Sequence, residues 1–149
     1  MQTTIVTDTA TVVVYDLGCL KHRVADDCDW WSIAQDELKE VNCGNACFLN
    51  LGCDGEFITT LVDAVPNDCA VIRSILVKNI SGQFFIGAAE WVSGDGLEPT
   101  DEYGSFINVS KGVYQLKAGL RANELFISLK IVNEQANNYF GDLVRLNEL

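Results

Sequence analysis

The stretch Asp26-Asp27-Cys28-Asp29-Trp30-Trp31 places three carboxylates immediately before two tryptophans. In an extended segment adjacent side chains point to opposite sides, so one indole is expected to enter the core while the other stays near the surface. An exposed tryptophan among carboxylates has the composition of an anchor for a cationic protein, because tryptophan dominates interface energetics and charge steers encounter. The competing reading is that both indoles are structural plugs. Asp36, Glu37 and Glu40 extend the same acidic segment. The partner-binding candidates are therefore Asp26, Asp27, Asp29, Trp30, Asp36, Glu37 and Glu40.

Other chemistry is thinner. His22, the only histidine, follows Cys19 by three residues. A thiolate–imidazole pair at that spacing needs a helical turn, which Gly18 and the shortness of the segment oppose, so a surface or capping role is expected for His22. Six cysteines invite a zinc reading, but only Cys43-x3-Cys47 approaches the usual ligand spacing. Alternation instead puts Cys47, Leu49, Leu51 and Cys53 on one face, as small buried hydrophobes. A second acidic loop, with Asp95, Glu98, Asp101 and Glu102, lacks the ligand spacing of an EF-hand. Trp91 follows the apolar run Phe84 to Glu90 and reads as core. No G-x-S-x-G, H-E-x-x-H or P-loop pattern occurs. The expectation is a protein with no catalytic residues, no metal and no cofactor.

The elements that must hold these residues are strands. Period-two alternation of Val, Ile, Phe and Thr runs through most of the chain, starting clearly at Thr9 to Asp16. Three hairpins are read around turn signals: Ala46–Gly52 with Glu56–Ala64 around Asp54-Gly55, Cys69–Lys78 with Gln83–Val92 around Ile80-Ser81-Gly82, and Val113–Gly119 with Glu124–Val132. Between Ser32 and Val41 a capping-box pattern, Ser32 with Gln35, predicts a short helix near residues 32–41. Its Ile33, Leu38 and Val41 are expected inside and Asp36, Glu37 and Glu40 outside. The fold class that follows is all-β, an antiparallel β-sandwich of about seven or eight strands with one short helix, forming a single domain over residues 1–149.

The chain has 149 residues, and its 10 Lys+Arg against 21 Asp+Glu leave a formal charge of -11. Such a surface repels phosphate backbones and anionic lipid, so neither nucleic acid nor membrane is an expected partner. The opening residues do not read as a secretion signal, so the expected location is the cytoplasm and the six cysteines are expected to be free thiols.

The strings Asp8-Thr9-Ala10-Thr11, Asp27-x-Asp29-Trp30-Trp31 and Glu40-x-Asn42-x-Gly44-Asn45-Ala46 together resemble an uncharacterised family of small bacterial proteins. That resemblance implies a bacterial source and carries over no catalytic residue. A looser likeness, Phe106-Ile107-Asn108-Val109-x-x-Gly112-Val113-Tyr114-Gln115-Leu116, is similar to a segment of bacterial β-sandwich proteins that include a competence-associated nuclease inhibitor. Two functions are carried forward. One is a non-enzymatic interaction protein of the immunity or inhibitor type, binding a basic partner such as a nuclease toxin. The other is a small-ligand or carbohydrate-binding sandwich in which Trp30, Trp31 or Trp91 stacks on a sugar and the Asp95–Glu102 loop contributes carboxylates, with Ca²⁺ as an aid.

Overall fold

The alternating segments fold as strands in a computed structural model that describes residues 1–147. Nine strands are described there, in two sheets. The five-stranded sheet contains, in spatial order, β1 (Gln2–Thr7), β4 (Gly55–Leu61), β9 (Glu124–Val132), β8 (Gly112–Arg121) and β5 (Ile72–Asn79). The four-stranded sheet runs β3 (Ala46–Asn50), β2 (Thr11–Tyr15), β6 (Gln83–Ala88), β7 (Gly104–Asn108). Gln2–Thr7 is a strand that the sequence reading did not place, and β4 lies parallel to β9, so the expectation of a wholly antiparallel arrangement is corrected.

One hydrophobic core joins the sheets. Val12, Val14, Cys47, Leu49, Phe84 and Ile86 share the inner face of the four-stranded sheet, and Phe84 meets Tyr114 of β8 edge-on at 5.5 Å. The opposite face is buried as well. Val13, Tyr15, Phe48 and Phe85 lie on it, and Trp30 and Trp31 close over Phe48. Burial on both faces explains why Thr11–Tyr15 and Phe84–Ala88 read as nearly continuous apolar runs.

The β8–β9 hairpin forms as expected, with Val113 opposite Val132 and Arg121 opposite Glu124. The other two hairpins do not. β3 and β4 belong to different sheets, as do β5 and β6. Asp54-Gly55 and Ile80-Ser81-Gly82 are therefore arches that carry the chain between layers. Asp16, fully buried, fixes the second arch: its carboxylate accepts from the N–H groups of Ile80 (2.7 Å) and Ser81 (2.8 Å), and also from Gly18 N–H at 2.9 Å.

The helix begins later than expected, as α1 (Ala34–Asn42). Trp30–Ser32 forms a separate 3-10 turn, Ser32 Oγ donates to Asp29 O at 2.7 Å, and the capping box is not made. The face is also rotated from the expected one. Ile33 is exposed, whereas Glu37 and Glu40 are buried beside Val41. Residues 133–147 then run along α1 and β3. Asn138 bonds Val41 O and both backbone groups of Leu76, while Val144 and Leu146 bury their side chains beside Asn50. All six cysteines are free thiols, and among the described residues no helix is long and apolar enough to cross a membrane.

Because one buried carboxylate satisfies three backbone donors, Asp16→Ala is expected to cost about 3 kcal/mol. The measurement is urea unfolding, read as a lower midpoint at unchanged slope. A loss near zero would show that water replaces the carboxylate at the arch.

Candidate functional site

The expected acidic site is organised around a residue the sequence did not single out. Arg23 ends a 3-10 segment (Leu17–Arg23), and its guanidinium reaches three carboxylates: Glu40 through Nε at 3.1 Å, Asp26 through Nη1 at 3.2 Å and Asp36 through Nη2 at 3.2 Å. It lies over the Trp30 ring, 4.5 Å from the centroid. Glu40 also accepts from Asn45 Nδ2 at 2.9 Å and contacts His22 Nε2 at 2.8 Å. Burial alone would raise the Glu40 carboxyl. The hydrogen bonds from Asn45, His22 and Arg23 overcome it and hold the group below its ordinary range.

The structure thus divides the sequence candidates. Asp27 and Asp29 are exposed, and Asp26 and Asp36 are half-buried at the edge of the Arg23 cluster. Glu37 and Glu40 are interior, so a partner cannot touch them. Trp30 is only 4% exposed and Trp31 only 7%, which corrects the expectation that one of them stays at the surface. The physical reason is the second layer they cover. Trp30 stands edge-on to Phe48, Trp31 stacks on Phe48 at 5.8 Å, and Trp30 Nε1 donates to Ser93 O at 2.8 Å.

The Cys19–His22 pair is not formed either. The Cys19 thiol donates to Lys78 O at 3.7 Å, and burial pushes its pKa up to about 11. His22 is occupied by Glu40, a role closer to the structural one expected of it. Among the described residues no group of three or more His, Cys, Asp or Glu side chains is placed to hold a metal ion.

The two acidic loops, distant in sequence, are joined in space. Asp95 N–H donates to Asp26 O and Gly96 N–H to Val24 O, both at 2.7 Å, while Cys28 N–H donates to the Asp95 carboxylate at 3.2 Å. Gly94 is required here, since a Cβ on it would lie 2.8 Å from Cys28 Cα. On this joined surface stands the exposed tryptophan that the sequence suggested, at a different position. Trp91, expected in the core, is 44% exposed and stacks on Tyr103 with ring centroids 3.9 Å apart. The pair lines a groove of about 420 Å³ with Leu97, Asp95 and Glu98.

Glu90 sets the direction of Trp91. Its carboxylate accepts from Thr7 Oγ1 (2.8 Å), Asp8 N–H (3.0 Å) and Thr9 Oγ1, tying the 3-10 turn Ala89–Trp91 to the crossing from β1 to β2. With Ala89 buried and Glu90 bound there, Trp91 is left outside. The available signal was charge. Between Lys78 and Lys111 the chain has five carboxylates and no Lys or Arg.

Glu37 gives a pH-dependent test of this interior. Burial raises its pKa to about 7, against a lowering hydrogen bond from Asn50 and the nearby charge of Arg145. An unfolded Glu titrates near ~4.3, so the folded state binds the proton more tightly. The resulting penalty sets in as pH rises above about 4.3 and is complete above about 7. Glu37→Gln is therefore expected to match the wild type at pH 4.5 and to exceed its stability at pH 8 by about 2 kcal/mol. Equal effects at both pH values in urea titrations would show that ionisation of Glu37 is not the cause.

No curated protein matches the sequence. Two solved structures share the fold. ComJ from Bacillus subtilis, described as an inhibitor of the DNA degrading activity of NucA, is 12% identical, with 89% of this chain and 96% of that one covered at a TM-score of 0.59. The product of crocagin biosynthetic gene J is 13% identical over the same shares, at a TM-score of 0.54. These identities carry the likeness of fold. At the level of sequence, residues 1–146 match a single family throughout, as the resemblance to an uncharacterised family implied, and the chain belongs to DUF6386, a family of unknown function.

Proposed function

We propose that this chain is a non-enzymatic, acidic interaction domain of the inhibitor or immunity type, and that its partner is a basic protein such as a nuclease. The observation that carries this reading is the surface at which the two acidic loops meet. Lys78, Lys117 and Lys130 lie on the outer face of the five-stranded sheet, at paired positions of β5, β8 and β9. The acidic loops are joined at another surface, where Asp27, Asp29, Asp101 and Glu102 have no ion-pair partner among the described residues. A field of this kind speeds encounter with a cationic cleft and weakens as salt rises.

Of the sequence candidates, Asp26, Asp27, Asp29 and Asp36 face the partner in this reading. Trp30, Glu37 and Glu40 support them from inside. The two sheets are read as the layers of a β-sandwich and the chain as a single domain. ComJ, which shares its fold, is by its description a nuclease inhibitor, and this supports the assignment by analogy. Six free thiols suit a reducing compartment, so we place the protein in the cytoplasm. The carbohydrate reading retains one observation in its favour, the exposed Trp91.

The test is capture of partners from the native host on the immobilised chain at low and at high salt, followed by a DNA-cleavage assay of the captured fraction. A basic protein retained at low salt, released at high salt and silenced by added free chain is the expected result. The variant D26N/D27N/D29N should slow association roughly tenfold. Partners indifferent to salt, or cleavage unaffected by the chain, would overturn the reading.

A further inference from the structure

We infer that the groove beside Trp91 is the docking site for an arginine side chain on the basic partner, an inference that rests on the reading above and adds a specific contact to it. Three large apolar residues are exposed together here: Trp91, Tyr103 and Leu97, the last at 72%. A monomer gains nothing from leaving such a cluster in water, and aromatic anchors of this kind are where interface energy concentrates. Asp95 and Glu98 line the same groove, while Asp101 and Glu102 border the other side of the aromatic pair. Lys21, exposed, is paired to Glu98 at the groove's edge.

The molecule already contains the completed form of this arrangement. At the base of the first acidic loop an arginine, Arg23, lies half-buried over an indole, Trp30, with carboxylates at its nitrogens. At the groove the indole and the carboxylates are present on a stretch of chain that contains no Lys or Arg. A guanidinium suits the groove better than an ammonium, because its plane stacks on an aromatic ring while its edge bonds carboxylates.

The groove is also held in shape before any partner arrives. Gly94 and Leu97 exchange backbone hydrogen bonds at 3.0 and 2.9 Å. Glu90 is fully engaged by Thr7, Asp8 and Thr9, so it fixes Trp91 and does not compete for the ligand. A preformed site loses little freedom on binding.

The experiment uses the full chain labelled with ¹⁵N and three capped tripeptides, Gly-Arg-Gly, Gly-Lys-Gly and Gly-citrulline-Gly, with maltotriose as a fourth probe. Saturable shifts at the Trp91 indole N–H and the Leu97 amide, stronger for arginine than for lysine and absent for citrulline, are expected. Trp91→Ala should weaken arginine binding roughly tenfold. D95N/E98Q should do the same without removing any apolar contact, which guards against a folding defect in the first variant. Equal response to arginine and lysine spread over all acidic loops would overturn the inference, as would shifts produced by maltotriose alone. If the host partner binds Trp91→Ala normally yet loses affinity for D26N/D27N/D29N, the groove inference fails and the inhibitor reading stands. If arginine fills the groove but no basic partner exists, the reverse holds.

Discussion

The Glu40 carboxylate is the interaction on which the rest of this structure depends. A carboxylate in an apolar interior is costly unless donors surround it. Glu40 receives them from three directions: Arg23 and His22 from the 3-10 segment before it, and Asn45 from the start of β3. The donors lie on two pieces of chain, so satisfying one charge fixes the end of the 3-10 segment against the start of β3. Arg23, held in this way, extends its remaining nitrogens to Asp26 and Asp36 and its flat face to Trp30. The loop that carries the surface carboxylates is thereby attached to the core through a guanidinium as well as through the two indoles on Phe48.

The buried indole and the exposed one that sequence inspection expects of two adjacent tryptophans are found instead at Trp30 and Trp91. Trp30 is a structural indole, with its ring against Phe48 and its N–H on the carbonyl of Ser93. Ser93 in turn bonds the buried hydroxyl of Tyr15 at 2.8 Å, which links the covering layer to β2. Trp91, one turn before Ser93, is left outside because Ala89 and Glu90 take the inward positions. The short segment Ala89–Gly94 thus serves both the interior and the surface. The sheet thus exposes an indole without a long loop.

The comparisons with solved structures reach the fold alone. A chain sharing about one residue in eight with ComJ keeps the same frame, because burial requires only apolar side chains of suitable size at alternate positions. The surface has no such constraint. The loops joined at Asp26 and Asp95 lie outside the sheet pairing.

The sequence by itself determined that the chain is mostly β, that Val113–Val132 closes as a hairpin, and that the surface is strongly acidic. Each follows from information local to the residues: alternation defines a buried face, the short loop between β8 and β9 forces neighbouring strands together, and charge simply adds. Which sheet a strand joins was decided only in three dimensions. A glycine turn such as Ile80-Ser81-Gly82 serves a hairpin or an arch equally well, and the choice was made by Asp16, distant in sequence, reaching its N–H groups. The inward turn of Glu37 and Glu40 was hidden for the same reason. A carboxylate on an amphipathic helix belongs outside unless Asn45, Asn50 and Arg23 arrive to bond it, and their arrival is a property of the tertiary fold.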